Sequence, residues 1–245
     1  MPRKPPFQYA IRDIVSTDNE DLYKEISSRI SIILKKQTGS WSAHIDASGT
    51  AIIGYNRSAY PDAAFAHELL HIKAELDGLR DPYLRSSVEG FSWEILRFII
   101  NHLAHHRIYP EFYDMGFNEE EFLNDNDEAE TLQLLRRDVP KLEDVYRQVQ
   151  KPMDGLIVLM PYLVCVSPHE TNLVVHQFKE RLEKIAEPSF IKAVNAILEE
   201  WRTSKRMDYC LTLAKLCKAC GYMNISFAPQ SDTSKEISAS TVTLD

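Results

Sequence analysis

Leu22, Ile26, Ile30 and Ile33 recur at three- and four-residue intervals behind Ser16 and Thr17, and this spacing predicts a helix that ends at Gly39. The period then shortens. "WSAHID" and "TAIIGYN" are short apolar or β-branched runs separated by "ASG", which predicts a β-hairpin turning at Ser48 and Gly49, the one convincing sheet in the sequence. Helical composition returns in "PDAAFAHELLHIKAELDG", with Asp62 placed to cap and Gly78 to stop a helix over 62–77. After the loop "GLRDPYLR", a second long helical stretch is expected from about Ser86 to Tyr109, stopped by Pro110. Residues 118–130, "NEEEFLNDNDEAE", carry seven acids and no base, the composition of a solvated connector. From Thr131 to Tyr222 the pattern is helical, with breaks near Pro140, Pro152, Pro168 and Pro188. The tail "APQSDTSKEISASTVTLD" has no apolar period and is expected to be disordered.

These elements predict an α+β protein, mostly α, in which a β-hairpin precedes one helix of interest and a helical C-terminal region follows. The expected organisation is a first unit over 1–117, an acidic connector over 118–130, a helical region over 131–225 and a disordered tail over 226–245.

Composition narrows the function. The chain has 245 residues, of which 44% are apolar and 26% charged, enough to bury a substantial core. A net charge of −8 argues against a nucleic-acid partner, because phosphate binding rests on clustered lysine and arginine. The longest apolar run, "GLIVLMPYLVCV", is too short to cross a bilayer and contains Pro161, so no membrane association is expected. "MPRKPPFQYAIRDIV" lacks the apolar core of a secretory signal, and a cytoplasmic location is the expectation. Cys165, Cys210, Cys217 and Cys220 suit reduced thiols. The single CxxC they contain lies in an apolar helical pattern, without the second pair that a zinc site of that type needs.

The candidate chemistry lies in "AFAHELLHI". On a helix His67 and His71 are four apart and share a face, so both imidazoles can reach one ion at about 2.0–2.1 Å. Glu68 is turned by about 100° from His67, which directs its carboxylate to a metal-bound water instead of the metal. Zn2+ lowers the pKa of such a water toward about 7, and Glu68 can take its proton as an amide carbonyl is attacked.

These residues resemble the HExxH zinc metallopeptidases called zincins. The longer metzincin pattern is absent, since Ala74 and Asp77 stand where it has glycine and histidine. The resemblance therefore turns to the gluzincins, in which a glutamate on the next helix is the third ligand. "SSVEGFSWEI" looks like the segment that carries it in relatives of aminopeptidase N, and implies Glu89 as that ligand. The resemblance covers about residues 40–115, and only its HExxH core is specific. It implies that residues 1–117 form a small zincin-like unit, and that a strand just before the metal helix, here "TAIIGYN", takes an extended peptide by strand addition.

Other third ligands stay open. Glu89 shares a helical face with Leu96, Ile100 and Leu103. Glu94, Asn101 and His105 form a second stripe, and "INHLAHHRIYPEFYDMGF" favours His105, as ligand or as a donor that stabilises the transition state. In a tight helical hairpin, residues 89–95 lie opposite the pair and His105 some 15 Å further along. His102, His106 and Tyr109 read either as such donors or as the polar C-terminal end of a helix. The function these residues predict is zinc-dependent peptide-bond hydrolysis, acting on an intracellular protein or peptide. The alternative is a zinc-binding regulatory or interaction module that keeps the fold without peptidase activity.

Overall fold

The computed structural model describes residues 8–86, 89–122, 127–166, 173–205, 208–229 and 234–244. The chain divides into two compact units. One is made of residues 1–77 and 108–130, the other of 78–107 and 131–245. The helical element over 93–114 contributes residues to both.

The first unit begins with a 3-10 turn, Ile11–Asp13, and helix α1, Glu20–Arg29. The helix expected to run on to Gly39 stops ten residues earlier, and Ser31–Lys36 forms strand β1. The spacing of Ile26, Ile30 and Ile33 continues a helix on paper. However, "ISIIL" is rich in β-branched side chains, which lose rotamer freedom in a helix and suit a pleated strand. Ile32 and Leu34 turn toward the core, while Ile33 is 46% exposed.

The predicted hairpin is present: β2, Ser42–Ile45, pairs antiparallel with β3, Thr50–Tyr55, across a turn where Gly49 has φ +76°. β1 adds parallel to the other side of β3, which gives the order β1-β3-β2. β3 is therefore the central strand, buried from Ala51 to Tyr55, and both of its edges are paired. The peptide-binding edge expected at "TAIIGYN" cannot be there.

Helix α2, Pro61–Leu76, follows β3 directly. Pro61 occupies its first turn, where a missing N–H costs nothing, so the helix starts one residue before the expected Asp62. Every residue from Ala63 to Leu70 is buried, the pattern of a helix enclosed on all sides. Phe65, Leu69 and Ile72 pack with Leu22, Ile26, Ile53, Phe112 and Phe117 in one apolar core.

Asn19, fully buried, ties the start of α1 to α2. Its Nδ2 donates to the carbonyls of Ile14 at 3.0 Å and Asp62 at 2.9 Å, and its Oδ1 accepts from the Ser16 N–H at 3.0 Å. Asn19→Leu leaves these groups without partners, and is expected to cost about 2–3 kcal/mol, several buried groups at about 1 kcal/mol each. Urea unfolding should show this as a lower midpoint at unchanged slope, and a midpoint equal to wild type would remove Asn19 from this role.

The second unit contains a second sheet that the sequence did not announce. β4, Tyr83–Ser86, pairs with β5, Ser226–Ala228, which pairs with β6, Ile237–Ser238. The expected disorder of the tail over 226–245 is corrected by β5 and β6, and Ala239 and Val242 are buried. The pairing joins residues far apart in sequence, which a local pattern does not reveal.

Helix α3, Trp93–Asp114, starts well after Ser86 and runs through Pro110 instead of stopping at Tyr109. The acidic stretch holds a short helix, α4, Glu119–Phe122, and the start of α5, Asp127–Val149, which runs through Pro140. Then follow α6, Leu156–Val166, α7, Leu173–Ile185, α8, Pro188–Thr203, and α9, Cys210–Ala219. Pro188 opens α8, whereas the break expected near Pro168 lies outside the described residues. Trp201 anchors α8, its Nε1 donating to the Leu103 carbonyl at 2.7 Å beneath the Arg107 guanidinium. None of the described helices is long and apolar enough to cross a membrane.

Candidate metal centre

Helix periodicity brings His67 and His71 together, as their spacing predicts. Their Nε2 atoms are 3.0 Å apart, and the rings lie near-parallel with centroids at 4.9 Å. His105 on α3 completes a group in which one ligand atom from each of the three histidines lies within 4.8 Å of the others. His67 and His105 are buried and His71 is half-buried. α3 carries His105 one turn before Ile108, the residue at which this helix joins the unit that holds α2. Glu68, next to His67, is also buried.

Glu89 is not in this group. It is exposed, in a turn ahead of α3, where Gly90 adopts φ +84°. A backbone in that left-handed region interrupts the helix, so Glu89 never joins the face of Leu96, Ile100 and Leu103. Glu94 and Asn101 are exposed as well, and the stripe they were expected to share with His105 is not a buried one. The tight-hairpin register fails for a related reason. Residues 77–92, including β4, separate α2 from α3, and a connection of that length does not set their register. His105 is thus beside the pair instead of some 15 Å away.

The imidazoles are prepared as neutral donors. Burial holds His67 well below its ordinary titration range, with His71 adding to the effect, and burial lowers His71 to about 4. A ligating imidazole must be unprotonated, and these rings are so at neutral pH. A hydrogen bond to the Phe122 backbone carbonyl acts in the opposite direction on His67. Three imidazole nitrogens are a donor set that would suit a divalent transition-metal ion. Among the described residues no other group of three or more His, Cys, Asp or Glu side chains converges in this way.

Two further histidines lie on α3. His102 and His106 are buried, and burial pushes them down to about 4 and about 3. They do not cap a helix C-terminus, because α3 continues to Asp114. Tyr109 is half-buried and meets Phe122 edge-on at 5.0 Å. Cys217 and Cys220 are free, and burial raises both thiols, the latter to about 12, away from the thiolate state that metals and disulfide exchange require.

The buried histidines set a pH dependence. Unfolded imidazoles take up protons near 6.5, whereas the folded rings resist protonation to about 4 for His71 and His102. Below pH 6.5 the unfolded state binds more protons, so folding stability of metal-free protein is expected to fall between pH 6.5 and 4. The loss is roughly 1–2 kcal/mol for each such group by pH 5. Urea unfolding at pH 7 and pH 5 measures it, and equal stability at both would contradict the buried neutral rings.

The acidic stretch supplies the feature that sequence reasoning missed. Phe122 is 2% exposed and stacks on the His67 ring at 4.3 Å and 16°. The available signal was a lone aromatic among seven acids. Comparison with protein families, curated proteins and solved structures finds no match.

Proposed function

We propose that the protein is a zinc-dependent peptide hydrolase in which His67, His71 and His105 hold the ion and Glu68 is the general base. The observation that carries this reading is the convergence of three buried histidines beside a buried glutamate on an enclosed helix. Zinc, when bound, supplies Lewis acidity that lowers the pKa of water and polarises a carbonyl. The chain's own residues do the rest. Glu68, directed away from the ligand face by the helical turn, accepts the proton of the attacking water and returns it to the departing amine.

The substrate is a protein or peptide of the same compartment, proposed here to be the cytoplasm. With β3 enclosed, an extended peptide must add to an edge strand. β2 is an edge strand that packs on α2, and is proposed as that edge. A purely regulatory zinc site would be closed by four protein ligands. Among the described residues three histidines converge without a fourth ligand, which supports catalysis over that alternative.

Elemental analysis of purified protein is expected to find one zinc per chain, and chelation to lower the melting temperature. Zinc at a hundred times its Kd stabilises by about 2.7 kcal/mol relative to the apo form. Mass spectrometry of a peptide library should show cleavage that stops when zinc is removed and resumes on its return. A protein that binds no zinc, and gains no stability from it, ends this reading.

A further inference from the structure

We infer that Phe122 is a positioning residue for His67, and that docking of α4 against α2 is coupled to metal binding. This rests on the reading of His67 as a metal ligand. Two separate features of Phe122 act on that one ring. Its side chain covers the imidazole face at 4.3 Å and 16°, while Phe112 meets the ring edge-on at 6.4 Å and 69°. Its backbone hydrogen-bonds the same ring. Because His67 Nε2 is the atom that faces His71, the nitrogen left for the Phe122 carbonyl is Nδ1. A proton held on Nδ1 leaves the lone pair on Nε2, the tautomer that a ligand on this side of the ring must adopt. One residue thus fixes both the plane of the ring and the nitrogen that donates to the metal.

The clamp is built from a segment that cannot hold itself. α4 is four residues long, too short for independent helical stability, and its first three residues are glutamates. Phe122 secures it, packed edge-on against Phe112 at 5.0 Å and 84° and against Tyr109 at 5.0 Å and 89°. If the docked segment favours the ligating form of His67, linkage requires that the metal favour the docked segment by the same factor.

The test uses the full chain and compares wild type, Phe122→Leu and Phe117→Leu, each checked for native circular dichroism. Phe117 stacks on Phe112 in the same core at 4.9 Å, so its replacement controls for general loosening. Zinc competition titrations are expected to give about 10- to 100-fold weaker binding for Phe122→Leu and unchanged binding for Phe117→Leu. Nitrogen-15 NMR of metal-free wild type is expected to show His67 protonated on Nδ1, with mixed tautomers in Phe122→Leu. Zinc should slow amide exchange at 119–122 in wild type more than in Phe122→Leu. Wild-type zinc affinity and a single tautomer in Phe122→Leu overturn the inference and leave the metal site standing. Equal weakening in both leucine variants also overturns it, by assigning the effect to core loosening. Absence of zinc binding in wild type removes the metal reading itself.

Discussion

Glu68→Gln is expected to lower peptide hydrolysis by about 10²–10⁴-fold while zinc content and melting temperature stay at wild-type values. The magnitude is that of a lost general base, equivalent to roughly 2.7–5.5 kcal/mol of transition-state stabilisation. Glutamine keeps the size of the side chain and one carbonyl acceptor. It cannot accept a proton, however, and the water beside it is no longer activated. Glu68 is outside the three-histidine group, which is why metal should remain. Activity within a few-fold of wild type would take the base assignment away from Glu68. Loss of zinc along with activity would make Glu68 a ligand or a structural group.

His105→Ala and Glu89→Ala are expected to separate completely in a zinc titration. A structural zinc site binds with about 10–16 kcal/mol, so one ligand of four accounts for roughly 2.5–4 kcal/mol, on the order of a hundredfold in affinity. Alanine at 105 should therefore weaken zinc binding at least to that extent. Alanine at 89 should leave it unchanged, since Glu89 is exposed and stands outside the helix. The reverse result would make Glu89 the third ligand and require α3 to begin several residues earlier. Equal effects would point to zinc bound elsewhere.

The contrast between these two residues shows what a sequence can specify. His67 and His71 were legible because four residues along one helix return to the same face whatever the rest of the chain does. The hairpin was legible for a similar reason, its turn and both strands being contiguous. The third histidine of the group depended on where α3 begins and on the path of residues 77–92, which hold a strand whose partner is over a hundred residues away. A glycine at positive φ decided the fate of Glu89, and nothing in the spacing from His71 to Glu89 encodes that angle. β1 was misread because two periods agree over a few residues, and only the β-branched character of "ISIIL" tells them apart. Pro110 and Pro140 were expected to end helices, yet each sits inside one. The tertiary surroundings of α3 and α5 outweigh the local cost of a missing donor.

The two sheets differ in the order in which synthesis supplies their strands. β1, β2 and β3 lie within 25 residues of one another, so that sheet and α2 behind it can assemble as soon as residue 76 has emerged. β4 emerges soon afterwards, but Tyr83 has to wait for Ala228 before it has a strand to pair with. Long-range pairings of this kind form slowly, because loop closure precedes the reward of contact. During translation the histidine pair on α2 is thus made early, whereas the segment leading into α3, which delivers the third histidine, stays unpaired until the last fifth of the chain is made.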